Sequence, residues 1–255
     1  VVEVLETRLV PSAPDATQEY MLELLNRMRS NPSAELPLLL NAGNADVNNA
    51  LQFFQVNIQT LTQQFNALTP APPLIWNSIL AGTALAHSTL VTHYDPTFSN
   101  PPPNPDWNQV EANEATQTVP FPHQLTGEQP LGTSSGGGRA FNAGYTNWSM
   151  LAENLDAHSS SPFYSHAAFA IDWGGPASTG GIQSPPGHRD NDMNPNLSEI
   201  GIGIVNYPNG TEIGPNIITE DFGNRFNYGN GYGVGAVFQD GNGNGFYDPG
   251  EGIGN

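Results

Sequence analysis

The chain has 255 residues, of which 37% are hydrophobic and 12% charged. That balance describes a folded protein with a substantial core, not a charge-driven disordered segment. Six arginines, no lysine and 24 acids give a net charge of −18, which repels nucleic acid and anionic membrane surfaces and concentrates cations. There is no cysteine, so disulfides and thiolate chemistry are excluded, and no apolar run approaches the roughly 20 residues of a membrane helix.

The chain starts at Val1, which predicts a removed signal or an excised segment. Residues 1–14 read as an extended arm. Asp15 with Gln18 three positions later is a capping pair for a helix carrying Tyr20, Met21, Leu24, Leu25 and Met28, ended at Asn31-Pro32. From 45 to 66, Val47, Leu51, Phe54, Ile58, Leu61 and Phe65 alternate steps of four and three, which predicts one long amphipathic helix. After a proline cluster, a third helix is expected over 76–92, with His87 on the face of Leu80, Thr83, Ala84 and Val91 and His93 turned elsewhere.

Residues 95–145 lack any sustained period and read as a long loop. The segment 148–155 carries Ala152-Glu153-Asn154, 162–172 reads as a short helix, and a Gly/Ser/Pro loop over 174–187 delivers His188. Strand signals dominate the end, at 200–205, 217–222 and 232–239, so helices packed on a largely antiparallel sheet are expected. His123, His158 and His166 lack a partner pattern and read as surface residues.

Two short polar runs follow different logic. Asp240, Asn242, Asn244, Phe246, Asp248 and Glu251 stand at positions 1, 3, 5, 7, 9 and 12 of a loop with Gly245 at position 6, the donor pattern of a Ca²⁺ loop. A preceding strand in place of a helix sets it apart from an EF-hand. Asp190, Asp192, Asn194, Asn196 and Glu199 also alternate, but Pro195 occupies the turn position, so this run reads as a solvated turn.

His87, Glu153 and His188 combine two imidazoles with a carboxylate, residue types that hold a divalent ion such as Zn²⁺ or share a proton. Glu153 is the candidate third ligand or proton carrier, and Arg189 either pairs with a carboxylate or holds its own loop. Ser88 and Ser184 lie near the histidines, yet neither sits in a nucleophile elbow.

The stretches EYMLELLNRMRSNP (19–32), PPLIWNSILAGTALAHSTLVTHYDP (72–96), AENL (152–155), SPPGHRDNDMNPNLSEIGIGI (184–204) and ITEDFG (218–223), in that order, resemble the bacterial branch of the CAP superfamily of secreted proteins. The resemblance implies an α+β fold, an α-β-α sandwich with a mostly antiparallel sheet, spanning 1–228. It also implies a cleft in which His87, Glu153 and His188 match three members of a tetrad of two histidines and two acids. The fourth member, an acid after a tryptophan, has no match: Trp173 is followed by Gly-Gly-Pro and Ser184 stands near the expected place. Residues 229–255 look like the opening of a β-sandwich calcium module, either cut short or docked on the main domain.

By this resemblance the chain is a secreted or cell-surface binding module for a protein, lipid or matrix ligand, with a cation in the cleft and Ca²⁺ in the terminal loop. Two alternatives stay open at this point. One is a metal-dependent hydrolase using the same three residues, the other a Ca²⁺-stabilised matrix component that assembles with copies of itself or other surface proteins.

Overall fold

The computed structural model describes residues 13–93, 128–133, 135–210, 213–226 and 235–253. The arm 1–12, most of the 95–145 loop, His123 and 232–234 of the expected last strand lie outside them.

Helix α1 (Ala16–Ser30) starts where the capping pair predicts. Asp15 accepts from the Thr17 and Gln18 amides at 2.8 and 2.9 Å, and the Gln18 side chain accepts from the Asp15 amide. Asn31 closes α1 and caps α2 (Pro32–Asn41), whose first residue is a proline that needs no amide partner.

The expected 45–66 helix is two helices, α3 (Ala45–Phe53) and α4 (Ile58–Ala67). Gln55 takes a left-handed conformation, φ 53°, the Val56 amide turns back to the Leu51 carbonyl at 2.9 Å, and Asn57 caps α4 through the Thr60 amide at 2.9 Å. The apolar stripe survives the break because both halves bury it against the same core, through Val47, Leu61 and Phe65.

Strand β1 (Ile75–Trp76) leads through the cap Asn77 into α5 (Ser78–Thr92). A short α6 (Arg139–Asn142) precedes β2 (Trp148–Ser159), a long strand in mid-chain. Then come α7 (Pro162–Ile171), α8 (Gly187–Asp192), β3 (Glu199–Asn206) and β4 (Asn216–Arg225). The strand order is β1-β3-β4-β2, with β1 parallel to β3 and the other pairings antiparallel.

The fold is α+β. α5 packs on β3 and β4, while α1 packs on β3 and α7 and α8 pack on β2. The main core, including Met21, Leu25, Phe65, Ile202 and Phe222, lies between α1, α7 and the sheet. Against α5 the sheet presents Gly201 and Gly203. A Cβ at Gly201 would fall 1.8 Å from the Ala81 nitrogen and one at Gly203 2.2 Å from the Leu85 nitrogen, so helix and strand touch backbone to backbone.

Three further expectations change. His166 is buried, not at the surface, with Nε2 3.0 Å from Glu35, a carboxylate that also takes two bonds from Arg27. The 190–199 run is not a solvated turn throughout, since Asp192 and Glu199 are buried. Glu199 holds Asn77, Tyr145 and Arg225. At the C-terminus, residues 235–239 carry an isolated bridge between Phe238 and Gly252 in place of a strand.

Candidate functional site

Strand β2 divides the polar residues. Glu153 lies opposite Asp221 of β4 and Asn154 opposite Glu220, and successive side chains on a strand point to opposite faces.

On the α5 side, His87 Nδ1 stands 3.0 Å from both oxygens of Glu128. Arg139 lies 3.4 Å from Glu128 and donates to Glu153, and Thr83 donates to Asp221 at 2.5 Å. Burial raises the Asp221 carboxyl well above the usual range, and the neighbouring Glu153 charge raises it further. Asp221 Oδ1 has no hydrogen-bond donor among the described residues. Burial alone would lower the Arg139 guanidinium, but Glu153, Asp221 and Glu128 more than reverse that. Arg139 is the charge that lets three acids share this space.

On the Asn154 side, His188 Nδ1 meets Asp172 Oδ1 at 3.0 Å, its amide donates to the other Asp172 oxygen, and its ring packs on Phe169 at 5.2 Å. Asn154 donates to the His188 carbonyl, to Asp192 at 2.8 Å and to Glu220 at 3.2 Å. Burial raises Asp192, with the Glu220 charge next, and burial brings Glu220 up to about 7. Arg189 holds its own surroundings: it donates to the carbonyls of Ala170 and Ile171 at the end of α7 and to Gln64.

Beside His188 opens a groove of about 490 Å³. Phe53, Phe54, Tyr164 and Trp173 wall it, and Asp156, Asp172 and His188 form its polar end.

The structure therefore joins His87 and Glu153 through Glu128 and Arg139, and sets His188 in a separate cluster with Asp172. Among the described residues no group of three or more His, Asp or Glu side chains is placed to hold a metal ion. Sequence reasoning missed Asp172, Glu128, Arg139, Glu220 and Asp221, and took Asp192 for part of a solvated turn. For Asp172 a signal existed, a short polar residue ending a helix before Trp173, where a left-handed φ of 59° is tolerated. For Glu128 and Arg139, inside a stretch without periodicity, none did.

The terminal loop closes on itself. Asp240 accepts from the amides of Gly243, Asn244 and Gly245 at 2.7 to 3.1 Å, Asp248 from the Asn242 and Asn244 side chains at 2.7 Å, and Glu251 from the amides of Gly241 and Asp248. It is also docked: Arg27 of α1 lies over the Phe246 ring at 4.7 Å, and Tyr247 is buried.

Residues 22–222 match the family model described as CAP, the cysteine-rich secretory protein family. The chain belongs to the CAP family. Among solved structures, an extracellular protein containing an SCP domain from Bacillus anthracis str. Ames, determined at 1.5 Å, is similar at 14% identity and a TM-score of 0.30. The match covers 71% of this chain and 44% of that one. No curated protein matches. The chain contains no cysteine, and the acid beside His188 is Asp172, the residue before Trp173.

Proposed function

We propose that this CAP domain is an extracellular binding module whose ligand surface is the aromatic groove beside His188. The observation that carries the reading is the wall itself. Phe53 is 79% exposed, and Phe54 and Tyr164 are only partly covered, although all three belong to helical segments that bury other apolar residues well. Concave apolar surface closed by a few fixed polar groups is how ligand pockets are built. Asp172 holds His188 by both its ring and its amide, which makes that polar end rigid.

The terminal loop is the place we propose for Ca²⁺. Asp240, Asp248 and Glu251, the amide oxygens of Asn242 and Asn244 and the Phe246 carbonyl form an all-oxygen donor set, which suits Ca²⁺. The ion would supply the positive charge that lets three carboxylates converge in one exposed loop. Among the described residues no helix is long and apolar enough to cross a membrane.

Titration with Nile red, a neutral apolar dye, tests the groove. Blue-shifted emission is expected with the native protein and its loss with Phe54→Ser; a native protein that leaves the dye in water overturns the reading. Ester turnover abolished by His188→Ala would favour a hydrolase instead. For the loop, Tb³⁺ luminescence sensitised through Tyr247 and displaced by Ca²⁺ is expected, and its survival in a Glu251→Gln, Asp248→Asn variant argues against the site.

A further inference from the structure

The groove's chemistry narrows its ligand. Its four rings form a continuous ribbon: Phe53 meets Phe54 edge-on at 4.9 Å, Phe54 stacks on Trp173 at 6.1 Å with the planes 11° apart, and Trp173 meets Tyr164 at 5.3 Å. Aromatic faces carry negative potential, and they attract cations held within about 6 Å of a ring centre.

At the polar end stand two carboxylates, Asp156 and Asp172, and no arginine among the described residues lines the groove. Arg189, which feels the Asp172 charge, directs its guanidinium to the α7 carbonyls and Gln64. An anionic ligand would meet these acids and a net charge of −18.

A hard inorganic cation is also a poor fit. It needs six or more oxygen ligands, and the walls offer aromatic carbon. Asp172 takes the His188 amide and Nδ1, while Asp156 takes Ser165 Oγ at 2.7 Å and the His158 amide at 2.9 Å. Burial raises the Asp156 carboxyl, so the charge at this end is that of Asp172. The cation suited to such a place has diffuse charge, an apolar surface and no hydrogen bonds to satisfy.

We propose that the groove binds an alkylated ammonium group, its methyls against Phe54, Tyr164 and Trp173 and its charge facing Asp172. The proposal rests on the groove being the ligand surface. It adds what kind of ligand that surface selects.

Calorimetric titration of the full chain with choline, set against 3,3-dimethylbutan-1-ol, its uncharged isostere, separates the two claims. Choline is expected to bind at least about tenfold more tightly. Phe53→Ser, at an exposed rim position, and Asp172→Asn, which removes charge at constant shape, should each reduce that preference while the circular dichroism spectrum stays native. Equal or tighter binding of the neutral alcohol overturns the ammonium site and leaves an apolar groove. Failure of both ligands to bind, together with failure of the neutral dye, overturns the groove itself. Phosphatidylcholine vesicles identify the source of the group: co-sedimentation competed by choline marks a lipid headgroup, and choline binding without co-sedimentation marks a small soluble ion.

Discussion

The two polar clusters flanking β2 bury comparable numbers of acids and stabilise them by different means. On the α5 side a guanidinium, Arg139, stands among Glu128, Glu153 and Asp221. On the other side a neutral amide, Asn154, bridges Asp192 and Glu220, and burial favours retained protons. A charged centre ties its neighbours by attraction that is lost when it is removed, whereas a proton-sharing pair responds to pH. Adjacent residues of one strand, Glu153 and Asn154, thus serve two different electrostatic regimes.

The comparison breaks most sharply at Arg139. Arg139→Met leaves buried carboxylates without a counter-charge, and chemical denaturation near neutral pH should show a loss of about 3–5 kcal/mol. Part of it should return at about pH 5, where the stranded acids take up protons.

Asn154→Leu should cost less, about 1–3 kcal/mol by the same measurement, because the amide's bonds are lost while Asp192 and Glu220 can share a proton in its place.

The pH profile sharpens the contrast further. Glu220 binds its proton more tightly folded than unfolded, so the stability it contributes is fully present below the ordinary carboxylate range and is lost as pH rises through about 7. Thermal melts should therefore fall in midpoint as pH increases across that window, and Glu220→Gln should flatten the decline. An unchanged slope in the variant would refute the retained proton.

The smallest effect is expected where neither cluster is touched. Phe246→Ala removes the ring beneath Arg27, should cost about 0.5–1 kcal/mol, and should speed hydrogen exchange across 235–253 without altering either cluster.

How much of this the sequence carried varies with the range of the signal. The Asp15 capping pair acts within one turn and made the start of α1 legible, whereas the helix expected from Trp76 begins at Ser78, after the cap Asn77. The α3–α4 break was not: the apolar stripe runs unbroken through Phe54, and nothing about Gln55 announces a left-handed turn, although Asn57 as a helix cap was a clue. His87, Glu153 and His188 were identifiable as polar residues in family-like motifs. Their division was not, because it depends on which helices cover each face of β2. His166 looked unpartnered for the same reason, as Glu35 lies 131 positions away.

The paired glycines of β3 bear on His87 in a further way. Two residues of strand advance about 6.6 Å and four residues of helix about 6 Å, so Gly201 with Gly203 and Ala81 with Leu85 mesh like the teeth of a rack and pinion. Such a drive has no backlash, since no flexible side chain sits between the parts to absorb a displacement. The imidazole, two residues past Leu85, is thereby indexed to the sheet by backbone contact, and a methyl group added at either tooth would jam the mechanism before it touched the chemistry.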